Sequence, residues 1–105
     1  MLHISRQCDR ELAQWPEEIR GDLADAVARL ERGQILAMPL SRPMPSAGSA
    51  IHELRFRDRT GIYRLLYWLP GGGVVYLLHA FKKTSRKTPR RAVETARKRL
   101  RRMKP

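Results

Sequence analysis

The sequence predicts an α+β domain in which N-terminal helices and a C-terminal helix pack on one face of a small antiparallel β-sheet. Three observations lead there. Apolar residues recur at helical spacing before residue 33 and again after residue 88. Between Ile51 and Phe81 the apolar period changes to two, interrupted twice by glycine-containing turns. At 105 residues, 42% of them hydrophobic, the chain can enclose one modest core, so residues 1–105 are read as a single domain.

Each element follows from local chemistry. Leu2-His3-Ile4 suits a short first strand, and Asp9 to Trp15 one or two helical turns ended by Pro16. Trp15-Pro16-Glu17-Glu18 reads as the start of a second helix, with proline near the first position and two carboxylates complementing the helix dipole. Ile19, Leu23, Ala26, Val27 and Leu30 then share one face, and Gly33 is placed to end the helix. Pro39, Pro43 and Pro45 each lack a backbone donor, which makes Pro39 to Ser46 a loop. Three strands follow, at 51–57, 61–69 and 74–81, and their short connections make them an antiparallel meander.

Such a meander needs helices on one side, which leaves the other free to bind. Leu54 and Phe56 point one way, and Glu53, Arg55 and Arg57 the other. In the next strand Tyr63, Leu65, Tyr67 and Leu69 alternate with Ile62, Arg64, Leu66 and Trp68. Only the second set carries a charge, so Arg64 joins Arg55 and Arg57 on the open face.

The formal net charge is +12, and its distribution is uneven. Residues 1–81 hold 10 Arg/Lys against 9 Asp/Glu, whereas residues 82–105 hold 12 Arg/Lys and only Glu94. An anionic partner is the expected consequence. Val93, Ala96, Leu100 and Met103 fall on one helical face, which favours a docked basic helix over about 89–103 rather than a disordered arm. Thr88 suits its N-cap and Pro89 its first helical position.

No apolar run is long enough to span a membrane, and the first residues lack the apolar segment of a secretory signal. With Cys8 alone, no intrachain disulfide is possible, so a cytoplasmic location is expected. His3, His52 and His79 are far apart and match no metal-ligand spacing; neither a metal nor another cofactor is expected.

His52-Glu53-Leu54-Arg55, then Gly61-Ile62-Tyr63-Arg64-Leu65-Leu66-Tyr67, then Leu78-His79-Ala80-Phe81-Lys82-Lys83-Thr84, and finally Lys87-Thr88-Pro89 stand in an informative order and spacing. Over roughly residues 8–103 they resemble the HigB-like, phage-associated branch of the RelE-type toxin superfamily. The resemblance implies a RelE-like fold with a basic concave surface that enters the ribosomal decoding site. It implies metal-independent cleavage of messenger RNA, in which the ribose 2′-hydroxyl attacks the adjacent phosphate. It also implies a cognate antitoxin, commonly with a helix-turn-helix domain. The family's strand arginine falls on Arg64, its basic residues after the last strand on Lys82 and Lys83, and another frequently basic position on Arg55. Relatives with a tyrosine or histidine in the C-terminal region have no counterpart here after His79, so the general acid stays unassigned.

A phosphorane transition state is dianionic, and a guanidinium fork suits it. On this reading Arg64 stabilises the phosphorane with Arg55 beside it, and Lys83 supplies charge or protonates the leaving oxygen. Arg57, Lys82, Arg86 and Lys87 hold the RNA backbone, and Trp68 is the candidate for base stacking. Each has a plainer alternative. The alternative for Arg64 is an exposed cross-strand partner for Glu53, for Arg55 and Arg57 a solvated sheet face, and for Trp68 a core aromatic. A noncatalytic nucleic-acid-binding module, or a toxin fold kept as the partner of a repressor, also fits the charge.

Overall fold

The computed structural model describes residues 1–83 and 87–105. In chain order it contains β1 (Leu2–Ile4), α1 (Arg6–Leu12), α2 (Glu17–Glu31), β2 (Ser41–Pro43), β3 (Ile51–Asp58), β4 (Gly61–Gly71), β5 (Val74–Lys83) and α3 (Arg90–Met103). The strands form one sheet in the order β1-β5-β4-β3-β2. Its centre is the antiparallel β3-β4-β5 meander, with Arg55 opposite Arg64 and Leu65 opposite Ala80. The protein is thus an α+β domain with helices packed on a sheet.

Two short edge strands extend the meander. β1 pairs in parallel with β5, Leu2 opposite Val75 and Ile4 opposite Leu77, so the sheet is mixed rather than antiparallel throughout. β2 lies inside the segment expected to be loop and pairs Arg42 with Glu53 and Pro43 with His52. Proline is tolerated there because β2 is the outermost strand and Pro43 is its last residue.

The helices do not share one face. Cys8, Leu12, Trp15, Ile19, Leu23, Val27 and Leu30 from α1, α2 and their connection pack on Leu54, Phe56, Tyr63, Leu65 and Tyr67. Ala92, Ala96 and Leu100 of α3 pack on Ile51, Leu66, Tyr76 and Leu78. Since successive strand residues point to opposite faces, α3 covers the side opposite α1 and α2. The reason is in the strands themselves: Leu66 and Leu78 are fully buried apolar residues of that second face, and exposed to water they would each lose about 1.5–3 kcal/mol of hydrophobic stabilisation.

The helix starts are also informative. Ser5 caps α1 by accepting from the Cys8 N–H at 3.1 Å. Pro16 occupies the N-cap of α2 and Pro89 that of α3, neither with a side-chain cap. Thr88 therefore stands one residue outside α3 and spends its hydroxyl elsewhere. Among the described residues, no helix is long and apolar enough to cross a membrane.

Candidate functional site

Where β3 and β4 run past the apolar footprint of α3, their second face becomes charged. Register sets Arg55 directly against Arg64, and Arg57 against Ile62. Directly opposed residues on one face come within about 4.5–5.5 Å at Cβ, and like charges so placed cost stability. Beside them opens a cleft of about 540 Å³, lined by Pro39, Leu40, Arg55, Phe56, Arg57, Ile62 and Arg64. It combines guanidinium groups with an apolar wall.

Arg64 is only 7% exposed. Its Nε lies 3.5 Å from Glu53 Oε1, and one terminal nitrogen donates a long bond of 3.4 Å to the Tyr63 carbonyl. Among the described residues, the Arg55 side chain donates to the thioether sulfur of Met38, a weak acceptor, at 3.3 Å. Among the described residues, the buried Nε atoms of both arginines have no hydrogen-bond partner. Donors left unsatisfied in this way cost about 1–3 kcal/mol each, and an anion at the cleft would relieve that cost. Burial, opposed by the Glu53 carboxylate, draws the Arg64 pKa downward, and the neighbouring arginines Arg55, Arg42 and Arg57 add to the effect.

Lys83 reaches the same face through an irregularity in β5. Leu77 pairs with Tyr67 while His79 pairs with Leu66, so Leu78 is an extra residue. This bulge reverses the alternation. Uniform counting from Val75 and Leu77, which face α1 and α2, would send Lys83 to their side. After the bulge Ala80 takes that side instead, and Lys83 lies opposite Ile62 on the face of Arg64. Lys83 is 6% exposed. Its pKa is lowered by burial first and by Arg64 next, with Glu53 opposing and Arg42 and Arg55 contributing.

The other candidates are scattered. Exposed Arg57 lines the cleft. Lys82 points to the opposite face, its Nζ 5.9 Å from the centre of the Tyr63 ring. Trp68 shares the face of Arg64 but lies at the far end of β4, against Tyr76 and under Lys104 Nζ at 5.0 Å from its ring centre. Lys87 is exposed just before α3. Arg86 falls outside the described residues.

Sequence reasoning named Glu53 as a cross-strand partner for Arg64 but missed its burial and its contacts with Arg42 and Thr88, which put it at the middle of the charge. Glu53 is fully buried. It accepts from Arg42 Nε at 3.1 Å and from the Thr88 hydroxyl, while Arg42 also donates to Thr88 Oγ1 at 3.4 Å. Its place on the face of Arg55 and Arg57 was visible in the alternation; Arg42 was hidden in a segment expected to be loop.

A second cluster sits at the β5 bulge, where β1 has already ended. The Arg99 guanidinium grips both oxygens of Glu11, at 2.8 and 2.9 Å. His79 Nδ1 lies 3.0 Å from each of them, the Ala80 N–H donates to Glu11 at 3.1 Å, and Arg99 also donates to the Leu78 carbonyl at 3.0 Å. Burial works to raise the Glu11 pKa, but the hydrogen bonds from His79 and Arg99 outweigh it and bring it to about 2. His79 is thus committed to a structural contact. Next to it, burial and the Glu11 charge push the Cys8 thiol up to about 12, which keeps it protonated and unreactive.

Comparison with family models matches residues 10–101 to "Phage derived protein Gp49-like (DUF891)". The chain belongs to the phage-derived Gp49-like family. That family is toxin-like, of RelE/HigB type, and its match spans every element of this Gp49-like chain from α2 to β5 together with most of α3. Comparison with curated proteins returns no match.

Proposed function

We propose that this Gp49-like protein is the toxin of a type II toxin–antitoxin system, an endoribonuclease that cleaves messenger RNA on the ribosome without a metal and so inhibits translation. The observation that carries the reading is the Arg55–Arg64 pair at the edge of a cleft, a half-buried and a buried arginine whose Nε atoms are, among the described residues, without acceptors. Family membership supports it, as does the charge of +12.

In this reading the scissile phosphate sits at Arg64 and Arg55. The ribose 2′-hydroxyl gives up its proton to water as its oxygen attacks phosphorus, the P–O5′ bond breaks, and a 2′,3′-cyclic phosphate and a 5′-hydroxyl result. The guanidinium groups stabilise the dianionic phosphorane. Lys83 protonates the departing oxygen; a lysine whose pKa is drawn down by burial and by Arg64 is better matched to that task than an ordinary one. Arg57 steers the backbone at the rim. The partners are the ribosome, its messenger RNA, and an antitoxin, commonly a helix-turn-helix protein, that keeps the toxin inactive.

Burial of Arg64 beside Glu53 favours a second reading, a noncatalytic RNA-binding protein in which Arg64 is a structural ion. Inducible expression with mapping of messenger 5′ ends separates the two. Arg55→Ala and Arg64→Lys are expected to abolish growth arrest and new 5′ ends while antitoxin binding persists. Undiminished cleavage by Arg64→Lys would remove Arg64 from the chemistry, because lysine keeps the charge but not the fork.

A further inference from the structure

We propose that Glu53 is a resident counter-anion and positioning residue: it holds Arg42 and Arg64 in the sheet and gives up their charge to a nucleic-acid phosphate, so that Arg42 becomes a third cation of the site. The proposal rests on the phosphate-binding reading above.

Three observations carry it. First, Glu53 is fully buried and its nearest cationic partners come from strands on either side, Arg42 on β2 and Arg64 on β4. A buried carboxylate is tolerated only when paired and hydrogen-bonded, and Glu53 meets that condition through Arg42, Arg64 and Thr88. Second, the pairing is unequal. Arg42 makes a hydrogen bond at 3.1 Å, whereas Arg64 stays at 3.5 Å without one. The carboxylate thus balances the Arg64 charge while leaving its Nε to be satisfied by something else. Third, Arg42 has 38% of its side chain exposed, so it can turn toward solvent and a bound phosphate without unfolding β2.

A single carboxylate among Arg42, Arg55, Arg64 and Lys83 leaves the site cationic. An incoming phosphate competes with Glu53 for the same guanidinium groups, and the loss of that competition is measurable. Binding of a single-stranded RNA decamer, 2′-O-methylated throughout so that it cannot be cleaved, is followed against salt for the full-length protein. Each phosphate neutralised contributes about −0.7 to the slope of log K against log salt. Glu53→Gln keeps the shape and an acceptor oxygen but removes the charge. Its slope is expected to steepen by about 0.7, and its affinity at moderate salt to rise about fivefold. Its cleavage rate on ribosomes is expected to fall about tenfold, because Arg64 is less firmly aimed. Tighter binding joined to slower cleavage is not what loss of a merely structural residue produces. An unchanged or shallower slope in folded Glu53→Gln overturns the proposal.

Should Glu53→Gln fail to fold, Arg42→Ala on the exposed rim carries the test. Its slope is expected to be shallower than that of the parent by about 0.7, and a slope equal to the parent's overturns the proposal. Arg64→Lys distinguishes the levels of argument. If it binds the decamer and cleaves as the parent does, the phosphate site itself has been misplaced; if it is impaired while Glu53→Gln behaves as the parent, only the role of Glu53 fails.

Discussion

Replacing Glu11 with glutamine should make the fold less stable at neutral pH and erase part of its sensitivity to acid. Glu11 carries a bidentate Arg99, a His79 contact and the Ala80 N–H, and together they hold its pKa near 2 against an ordinary 4.5. Each pH unit between folded and unfolded titration is worth about 1.4 kcal/mol, which bounds the contribution at roughly 3 kcal/mol. The side chain is 25% exposed, and solvent screening brings the expected value to about 1–2 kcal/mol. Because the folded pKa is depressed, this stability is complete above about pH 4.5 and is lost as pH falls toward 2. Urea unfolding of the parent and Glu11→Gln at pH 7, 4 and 3 measures it. The gap should be widest at pH 7 and should narrow by pH 3. A gap that stays constant across that range would show that the carboxylate charge contributes nothing.

Three further outcomes are expected. Cys8 should resist iodoacetamide at pH 8 in the folded protein and react readily in urea, because burial and Glu11 hold its thiol near 12; mass spectrometry of the alkylated protein reads the difference. If Lys83 is the proton donor, the alkaline limb of the cleavage rate on ribosomes should lie below the ordinary lysine range, since burial and Arg64 lower its pKa. The Lys83→Arg variant, whose side chain cannot give up its proton, should show no such limb. Gly73→Ala should destabilise the fold by about 1–3 kcal/mol in urea melts, because Gly73 has φ +73° and a Cβ there would meet the Glu31 carbonyl oxygen at 2.6 Å.

The meander was legible because its signals are local. Alternation placed Leu54, Phe56, Tyr63, Leu65 and Tyr67 on one face and Arg55, Arg57 and Arg64 on the other, and the pairing agrees. The position of α3 was not legible. Its stripe shows that it docks but not on which side, and the decision rests on Leu66, Tyr76 and Leu78 gathering on a face that looked polar from β3 alone. Nor was β2 legible, since Pro43 argues against a strand unless the strand is known to lie at an edge. The same blind spot concealed Arg42, and with it the surroundings of Glu53. Thr88 was assigned to a helix cap on local grounds, and its hydroxyl goes instead to a carboxylate 35 residues away in sequence.

The bulge links the two charged clusters. Lys83 belongs to the Arg64 face only because Leu78 is an extra residue in β5, and the groups around that extra residue are the ones held by Glu11 and Arg99. The Leu78 carbonyl accepts from Arg99, His79 meets Glu11, and the Ala80 N–H donates to Glu11. An edge strand beyond the end of β1 would otherwise present these backbone groups to solvent, free to slip by one residue into uniform pairing. Such a slip returns every following side chain to the opposite face, carrying Lys83 away from Arg64 and bringing Lys82 in. The ion pair between α1 and α3 thus joins helices across the sheet at the residue where β5 breaks step, and that break places Lys83 rather than Lys82 beside the arginines.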